Sequence, residues 1–329
     1  MKRDVVFLGT PEFAATVLRE LAAPESNYHV TLAVSQPDRP QGRKQTLIPT
    51  PVHQLALEMD IPVFQPESAG DDDFYERLAA EKPDFLVTAA YGKILPRRVL
   101  DIARIEAVNV HASLLPKYRG AAPVQWSVIN GDPRTGVSIM RMVEKMDAGP
   151  VFEQVSVEIG PNETAPELMD RLATLGAEVL PPTLDRIVDG LIPWEQDEEA
   201  VTHAAMMTRE TGLIDWSKSA REIHNLVRGT FCWPCASTTL NGEPIKVHRT
   251  ALPERPSDLW DTLPEQKRKS ATPGMIMSCG GGRMLVNCGD PDKPGDLLEI
   301  LELQTAGGKR LTAQVCAHNY MAGTSFGEC

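Results

Sequence analysis

The chain lacks the features of exported, membrane-embedded or disulfide-bonded proteins. Its 329 residues include no apolar run that approaches membrane-spanning length, and its first residues show no apolar signal core. The six cysteines all lie in the last third of the chain, and none precedes position 232. Without a secretory signal, these cysteines are expected to be reduced thiols. We therefore expect a cytoplasmic protein with no membrane partner.

Positive charge is scarce and unevenly distributed. The chain carries 33 basic and 45 acidic side chains, which gives a net charge of −12. Residues 1 to 200 contain 31 acidic and 19 basic side chains, whereas the remaining residues contain 14 of each. Taken whole, this acidity argues against a nucleic-acid partner. The asymmetry nevertheless indicates two parts with different partners.

Two familiar motifs are incomplete. The loop after the first strand, residues 9 to 12, has one glycine where a dinucleotide-binding loop has three, so no nucleotide pyrophosphate is expected there. Cys232 and Cys235 have redox-motif spacing, but no βαβ pattern surrounds them. Cys279 and Cys288 could complete a four-thiolate zinc set, but they lack the spacing of a zinc ribbon. We expect no metal.

The periodicity of apolar residues predicts an α/β fold. Residues 5 to 8, 30 to 34 and 85 to 89 are apolar runs of strand length, and helical patterns separate them. Such alternation predicts βαβ units on a Rossmann-like, mostly parallel sheet. We assign this sheet to a first domain of residues 1 to 190.

The rest of the chain has a different pattern. Residues 191 to 212 are polar, acidic and irregular, which predicts a linker. Beyond the linker, short strands flank Asn241-Gly242, a strong hairpin signal, and predict a smaller C-terminal β-barrel (OB-like) domain of residues 213 to 329. This domain begins with a helix that Ser219 and Glu222 cap, and whose apolar stripe leaves three basic residues toward solvent. These residues are Arg221, His224 and Arg228.

A long segment after the second strand is locally basic. Residues 36 to 51 are rich in proline and too long for a tight connection, which is typical of functional or disordered loops. Arg39, Arg43 and Lys44 supply the charge. A solvated flexible loop is one interpretation. A positive loop in an acidic domain favours the other, in which an anionic ligand binds there.

Two polar side chains end a buried strand near the middle of the chain. Asn109 and His111 are two residues apart, so they face the same side of a strand whose other residues are apolar. In open α/β sheets this end of a strand is where ligands bind. Satisfied core polar groups and a functional site both remain open as interpretations. Further on, Asp147 precedes Ala148-Gly149, which on spacing alone predicts an ordinary Asx turn.

Four motifs resemble the methionyl-tRNA formyltransferase family, and the resemblance runs nearly from end to end. The central motif alone is specific only to folate-dependent formyltransferases, whereas the basic loop and the tail indicate the tRNA enzymes. The motifs are Phe-Leu-Gly-Thr-Pro-Glu-Phe at 7 to 13, Gln-Pro-Asp-Arg-Pro at 36 to 40, Asn-Val-His-Ala-Ser-Leu-Leu-Pro-Lys-Tyr-Arg-Gly-Ala-Ala-Pro-Val-Gln-Trp at 109 to 126, and Met-Asp-Ala-Gly-Pro at 146 to 150.

The resemblance implies three sets of site residues. The catalytic set is Asn109, His111 and Asp147. The set that holds 10-formyltetrahydrofolate is Ser113, Leu114, Leu115 and Pro116, with Tyr91 and Gly92 as walls. The set that contacts the tRNA acceptor end is Arg39, Arg43 and Lys44. Two features depart from the family: the predicted linker lacks its usual lysines, and Cys232 and Cys235 occupy positions that other residues usually hold.

The resemblance therefore implies an enzyme that transfers a formyl group from 10-formyltetrahydrofolate to the α-amine of methionyl-initiator-tRNA. We expect it to be a monomer. The neutral second domain would hold phosphates through a set of basic side chains, which are Arg221, Arg228, Arg249, Lys267, Arg268 and Lys269. Alternatives are a formyltransferase for an amino sugar, a formyltetrahydrofolate hydrolase and, in another class, a non-catalytic folate- or RNA-binding module.

Overall fold

The structure is a computed structural model that describes residues 2–41, 46–293 and 295–327. The predictions for Arg43 and Lys44 lie outside these residues. The strands are β1 Arg3–Gly9, β2 Tyr28–Val34, β3 Arg39–Gln41, β4 Thr46–Ile48, β5 Val63–Phe64, β6 Phe85–Ala89, β7 Glu106–His111, β8 Arg119–Gly120, β9 Arg134–Arg141, β10 Val151–Glu158, β11 His203–Ala204, β12 Ala236–Leu240, β13 Glu243–Ala251, β14 Ile276–Ser278, β15 Met284–Cys288, β16 Asp296–Thr305 and β17 Leu311–Thr312.

The helices are α1 Glu12–Leu21, α2 Pro51–Glu58, α3 Asp72–Ala80, α4 Arg97–Leu100, α5 Pro123–Ile129, α6 Ala165–Val188, α7 Ala220–Gly229, α8 Pro256–Thr262, α9 Glu265–Lys269 and α10 Ala313–Cys316. The chain forms two compact units. The first comprises residues up to Pro123, Arg134–Glu158 and Leu168–Ala205. The second comprises Val124–Pro133, Ile159–Glu167 and the residues from Met206 onward.

The first unit is built on a seven-stranded sheet with the order β10-β9-β7-β6-β1-β2-β5. The pairs from β5 across to β7 are parallel, and β9 and β10 add two antiparallel pairs. This confirms the predicted α/β fold with a mostly parallel, Rossmann-like sheet. From β1 the chain proceeds to one side of the sheet and then, through β6 and β7, to the other. The carboxyl ends of β1 and β6 therefore form a switch point, the usual position of a ligand site.

The apolar faces of this sheet are covered as the sequence pattern predicts. Strands β1, β6 and β7 are almost wholly buried, which is why they read as nearly continuous apolar runs. Helix α1 turns a stripe of apolar residues toward the sheet. These buried residues are Phe13, Ala14, Ala15, Val17, Leu18 and Leu21.

The second unit contains a separate antiparallel sheet with the order β12-β13-β16-β15-β14, and β17 pairs with β16. The predicted hairpin at Asn241-Gly242 joins β12 to β13, and both turn residues have positive φ, 52° and 78°. This backbone is the one that Asn-Gly favours. Apolar side chains from the sheet, from α7 and from the segment that precedes α7 form the core of this unit, and they include Ile223 of α7 and Trp216 of that segment.

The prediction that His224 and Arg228 face solvent is wrong. Helix α7 has the expected Ser219–Glu222 capping box, but residues 160 to 163 of the same unit cover its polar side. His224 Nε2 lies 3.1 Å from the Pro161 carbonyl oxygen, and Arg228 donates to the Gly160 and Glu163 carbonyls. Burial lowers the pKa of both side chains. The guanidinium of Arg228 is therefore committed to protein carbonyls, so it is not a phosphate ligand.

In the proline-rich segment after β2, the described residues on either side of positions 42–45 form two strands, since β3 and β4 pair antiparallel and make what we call the hairpin. Asp38 anchors its base. One carboxylate oxygen accepts from the Thr50 amide at 3.0 Å and from Gln65 Nε2 at 2.8 Å, and the other lies 2.9 Å from His53 Nδ1. Burial alone would raise the pKa of Asp38, but these bonds together hold it below its ordinary value.

No helix among the described residues has the length and apolar character needed to cross a membrane.

The hairpin anchor predicts a pH-dependent stability difference. Asp38→Asn should lower the free energy of unfolding in urea by about 1–3 kcal/mol at neutral pH, because it removes hydrogen bonds to a charged group. The pKa of Asp38 is lowered in the folded state, so its contribution is complete above about 4, its ordinary unfolded value, and is lost as the pH falls further. The difference between variant and wild type should shrink in that acidic range.

Asp101→Asn is the matched control, since the Asp101 side chain is 53% exposed and its one ion pair among the described residues is with Arg97, one turn away. Its effect should stay below about 1 kcal/mol. Equal losses for the two variants, or a pH-independent loss for Asp38→Asn, would contradict the anchoring role.

Candidate active site

Asn109 lies on β7 with its amide fixed from the neighbouring strand. Thr88 is its register partner on β6, and the Thr88 hydroxyl donates to Asn109 Oδ1 at 2.7 Å. Because Oδ1 accepts this bond, the amide orientation is set, and the Nδ2 group is the side chain's donor. The strand and its neighbour thus present one oriented NH₂ group at the carboxyl edge of the sheet.

His111 follows on the same face of β7 and is 5% exposed. Its Nε2 lies 3.1 Å from the carbonyl oxygen of Tyr118. A carbonyl can only accept, so Nε2 carries a proton. The other ring nitrogen, Nδ1, lies 3.7 Å from Oδ1 of Asp147. The ring therefore has an acceptor on each side, and a protonated imidazole can donate to both.

Asp147 reaches His111 from the turn between β9 and β10. Its φ is 51°, a left-handed conformation that Asp tolerates better than most residues. Its Oδ2 accepts from the Gly120 amide at 2.8 Å. The Asx-turn prediction implies that this carboxylate accepts a hydrogen bond from a backbone amide of its own turn. The amide that it binds instead belongs to Gly120, 27 residues earlier. The structure thus brings Asp147 and His111 together, as the resemblance implied.

Two glycines permit the close packing around this carboxylate. Gly120 has a φ of 125°, and a Cβ there would lie 2.6 Å from the Ala204 carbonyl oxygen. A Cβ on Gly149 would lie 2.0 Å from the Arg141 carbonyl oxygen. Side chains do not fit at such distances, so both positions require glycine. The backbone two residues after Asp147, and the backbone at the amide that binds its carboxylate, are thus packed against neighbouring backbone.

The loop of residues 113 to 116 follows β7, and serine hydroxyls fix its backbone by hydrogen bonds. Ser113 is fully buried and its hydroxyl donates to the Lys117 carbonyl at 2.6 Å. Ser138 on β9 donates to the Ser113 carbonyl at 2.6 Å and accepts from the Leu115 amide at 3.2 Å. Leu115 packs with Met140 in a small apolar cluster. The hydroxyl of Ser113 therefore shapes the loop.

Tyr91 and Gly92 follow β6 at the same edge of the sheet. The Tyr91 ring is 4% exposed and belongs to the apolar cluster beneath the strand ends. Its hydroxyl is buried and has no hydrogen-bond partner among the described residues, and burial raises its pKa to about 12. Gln36 Nε2 donates to the Tyr91 carbonyl at 2.8 Å. Tyr91 is thus joined to the segment that leads into the β3–β4 hairpin.

Of the predicted basic set, Arg39 is described and lies exposed on β3. Two apolar side chains of the facing strand are also exposed, Leu47 by 62% and Ile48 by 43%. The hairpin therefore presents a basic and apolar surface within an acidic unit. Such exposure of large apolar side chains is a common mark of a contact surface.

Sequence comparison identifies the family. A family model described as "Formyl transferase" matches residues 2–184, and one described as "Formyl transferase, C-terminal domain" matches residues 206–320. The chain belongs to the formyl transferase family. It is 42% identical over 327 residues to a methionyl-tRNA formyltransferase of Pelobacter propionicus, covering 99% of this chain and 95% of that one. Within the family, the chain therefore groups with the methionyl-tRNA formyltransferases.

Solved structures share the fold at much lower identity. An N-formyltransferase of Helicobacter canadensis, in complex with folinic acid and dTDP-3-aminofucose, matches with a TM-score of 0.63 at 17% identity, covering 91% of this chain and 99% of that one. HypX of Aquifex aeolicus, in complex with tetrahydrofolic acid, matches with a TM-score of 0.58 at 16% identity. That match covers 94% of this chain and 46% of HypX, so the chain spans about half of that protein.

The described cysteines all belong to the second unit. All five described cysteines are free, with Cys232 exposed and Cys235 buried. Burial raises the pKa of the Cys235 thiol, which lies 3.5 Å from His248 Nδ1. Among the residues that the structure describes, no three His, Cys, Asp or Glu side chains are grouped to hold a metal ion.

Sequence reasoning missed the residues that surround the Asp147 turn. The segment 191–205, predicted as part of a linker, belongs to the first unit and runs beside that turn. Gln196 Nε2 donates to the carbonyls of Asp147 and Gly149, at 2.9 and 2.7 Å. Arg119, which is 2% exposed, donates to Gln196. The one available signal was that Gln196 is the only uncharged side chain between Glu195 and Glu199.

Proposed function

We propose that the chain transfers a formyl group from 10-formyltetrahydrofolate to the α-amine of methionyl-initiator-tRNA. The observation that carries this proposal is the convergence of Asn109, His111 and Asp147 at the carboxyl edge of the sheet. An N–H donor, an imidazole and a carboxylate are what acyl transfer to an amine requires. No nucleophilic side chain is needed, because the substrate amine itself attacks.

Asn109 is assigned to the oxyanion. The amine nitrogen bonds to the formyl carbon, and the carbonyl electrons move to oxygen in a tetrahedral intermediate. Thr88 holds Asn109 Oδ1, so the Nδ2 donor is oriented before the substrate arrives. Such preorganised donors stabilise the charge as it develops, without reorganisation during the reaction. Collapse of the intermediate then breaks the bond between the formyl carbon and N10 of the folate.

His111 is assigned to the proton. In the neutral ring the proton is on Nε2, where it is bonded to the Tyr118 carbonyl, so Nδ1 has the free lone pair. Nδ1 takes the proton that the attacking amine loses, and the proton is then delivered to N10 as tetrahydrofolate leaves. While the ring is charged it can donate to Asp147 as well as to Tyr118. Asp147 thus stabilises the cation and orients the ring.

The loop of Ser113, Leu114, Leu115 and Pro116 is assigned to the folate. Because the Ser113 hydroxyl is bonded to Lys117 and Leu115 is buried, the loop would offer mainly its backbone and the partly exposed Leu114 and Pro116. Tyr91 and Gly92 form the adjacent wall, where the buried Tyr91 hydroxyl lacks a partner among the described residues. Folate ligands in two structures of the same fold support a folate co-substrate for this chain.

The tRNA is assigned to the hairpin and to the second unit. Arg39 is on the exposed face of β3, and Arg43 and Lys44 continue the same basic sequence. We propose a catalytic N-terminal domain to which residues 191–205 also belong, and a tRNA-binding domain of residues 213–329, so that the predicted linker of 191–212 shortens to residues 206–212. Bridges from Ser325 and Phe326 to both edges of the C-terminal sheet, at Met275 and Leu240, support a barrel-like closure. Monomeric state and cytoplasmic location stay predictions.

Formyl transfer can be measured with labelled 10-formyltetrahydrofolate. Label should appear on methionyl-initiator-tRNA, and not on uncharged tRNA, because the acceptor is the α-amine of the esterified methionine. Amino-sugar nucleotide and water are the competing acceptors in parallel reactions. Transfer of label to the sugar would indicate an amino-sugar formyltransferase, and release of free formate would indicate a formyltetrahydrofolate hydrolase. Binding without transfer would indicate a non-catalytic folate- or RNA-binding module.

Variants of the proposed catalytic residues should separate chemistry from binding. Asn109→Ala should lower turnover by about 10²- to 10³-fold, the usual cost of losing one oxyanion donor. His111→Ala should abolish measurable turnover while tRNA affinity stays unchanged. Asn27→Ala and His29→Ala alter exposed residues of the same types and should retain full turnover. Near-normal activity of His111→Ala would refute its assignment.

The hairpin assignment predicts a change in salt dependence. Arg39→Ala should weaken tRNA binding and lower the slope of log affinity against log salt concentration by about one, as expected for one lost phosphate contact. Turnover at saturating tRNA should not change. Arg19→Ala removes an exposed charge at the end of α1 and should alter neither quantity. An unchanged slope for Arg39→Ala would exclude a phosphate contact at that residue.

A further inference from the structure

The segment 191–205, which we call the strap, runs antiparallel to the Asp147 turn in a regular register. Trp194 and Val151 exchange two backbone hydrogen bonds, each 2.9 Å long. Two residues later, Gln196 bonds the turn through its side chain. Two residues further, Glu198 lies 3.4 Å from Lys145 Nζ at the beginning of the turn. Alternate strap residues therefore contact successive points of the turn.

Gln196 uses its whole amide in these contacts. Its two N–H groups are directed at the carbonyls of Asp147 and Gly149, at 2.9 and 2.7 Å. Its Oε1 accepts from Nε and Nη2 of Arg119, at 3.0 and 2.8 Å. A side chain with every donor and acceptor engaged has one orientation available to it. Gln196 thus fixes the two carbonyls on either side of Ala148.

Arg119 is what holds Gln196 in place. Its side chain is 2% exposed, and its Nη2 also donates to Glu198 Oε1 at 2.8 Å. Arg119 directly precedes Gly120, whose amide donates to the Asp147 carboxylate. One dipeptide therefore fixes Asp147 in two ways: through the carboxylate directly, and through its backbone carbonyl by way of Gln196.

We propose that Gln196, held by Arg119, is a positioning residue that keeps the Asp147 carboxylate beside His111. This inference rests on the proposed catalytic role of His111 and Asp147. Asp147 has a positive φ, so its backbone is not in its preferred conformation and needs external contacts to persist. Gln196 does not touch the reacting atoms. Its effect on turnover should pass entirely through the position of Asp147.

The test is Gln196→Met, which keeps the length of the side chain and removes its donors and acceptor. Turnover should fall by about 10- to 100-fold with KM for both substrates unchanged, since a displacement near 1 Å can cost about 100-fold. Gln196→Glu, of equal size, places a charge against two carbonyls and should show at least the same loss. Glu199→Gln alters an exposed strap residue whose side chain has no hydrogen-bond partner among the described residues, and keeps the bond from its backbone amide to Asp197, so it should match the wild type.

A double-mutant cycle with Asp147→Asn distinguishes positioning from general damage. If Gln196 acts through Asp147, Gln196→Met should cause no further loss in the Asp147→Asn protein. Losses that multiply, or full activity of Gln196→Met, would overturn the proposal.

A second readout does not depend on formyl transfer. Hydrogen exchange at the Gly120 amide should be at least tenfold faster in Gln196→Met than in Glu199→Gln, because the bond to Asp147 would be weakened. Equal exchange rates would overturn the positioning role even if the chain formylates another acceptor. Absence of formyl transfer by the wild type, with faster exchange in Gln196→Met, would refute the proposed function and leave the positioning of Asp147 supported.

Discussion

The geometry of the site depends on the left-handed backbone of Asp147. That conformation aims the carboxylate across the sheet edge at His111, but it is not one that an isolated turn would favour. The Gly120 amide holds the carboxylate, and the surrounding backbone is packed too closely to admit a Cβ at Gly120 or Gly149. A polar cluster at this position is costly unless each member is satisfied, and here each contact fixes the next. Preorganisation of the site is thus a property of the backbone as much as of the side chains.

The strand contribution to the site could be predicted from local sequence. Asn109 and His111 share a face because strand side chains alternate, and a strand that is otherwise apolar marks them as unusual. The order of apolar runs likewise predicts a parallel sheet, and hence the edge at which ligands bind. These inferences need only short-range periodicity. The resemblance to a known family then assigned roles to residues whose positions were already expected.

The remaining features depend on contacts between distant parts of the chain, which periodicity does not encode. The partner of Asp147 is a backbone amide, and any residue other than proline carries one. Arg228 reads as an exposed helical residue because the segment that buries it lies more than 60 residues earlier. The strap reads as a linker because its composition is polar. In each case the local composition is polar, as expected for an exposed residue or segment, but a contact with a distant part of the chain gives the residue or segment a structural role.

The strap also has a required length. Interdomain linkers usually tolerate added or lost residues, because their ends are joined by flexible chain. Here Gln196 is flanked by Glu195 and Asp197, which lie on the other side of the same extended backbone. Insertion or deletion of a single residue would turn a carboxylate toward the two carbonyls that Gln196 now satisfies, so like charges would meet in place of a donor. The length of the strap is therefore fixed, whereas the side chains that point away from the Asp147 turn are free to vary.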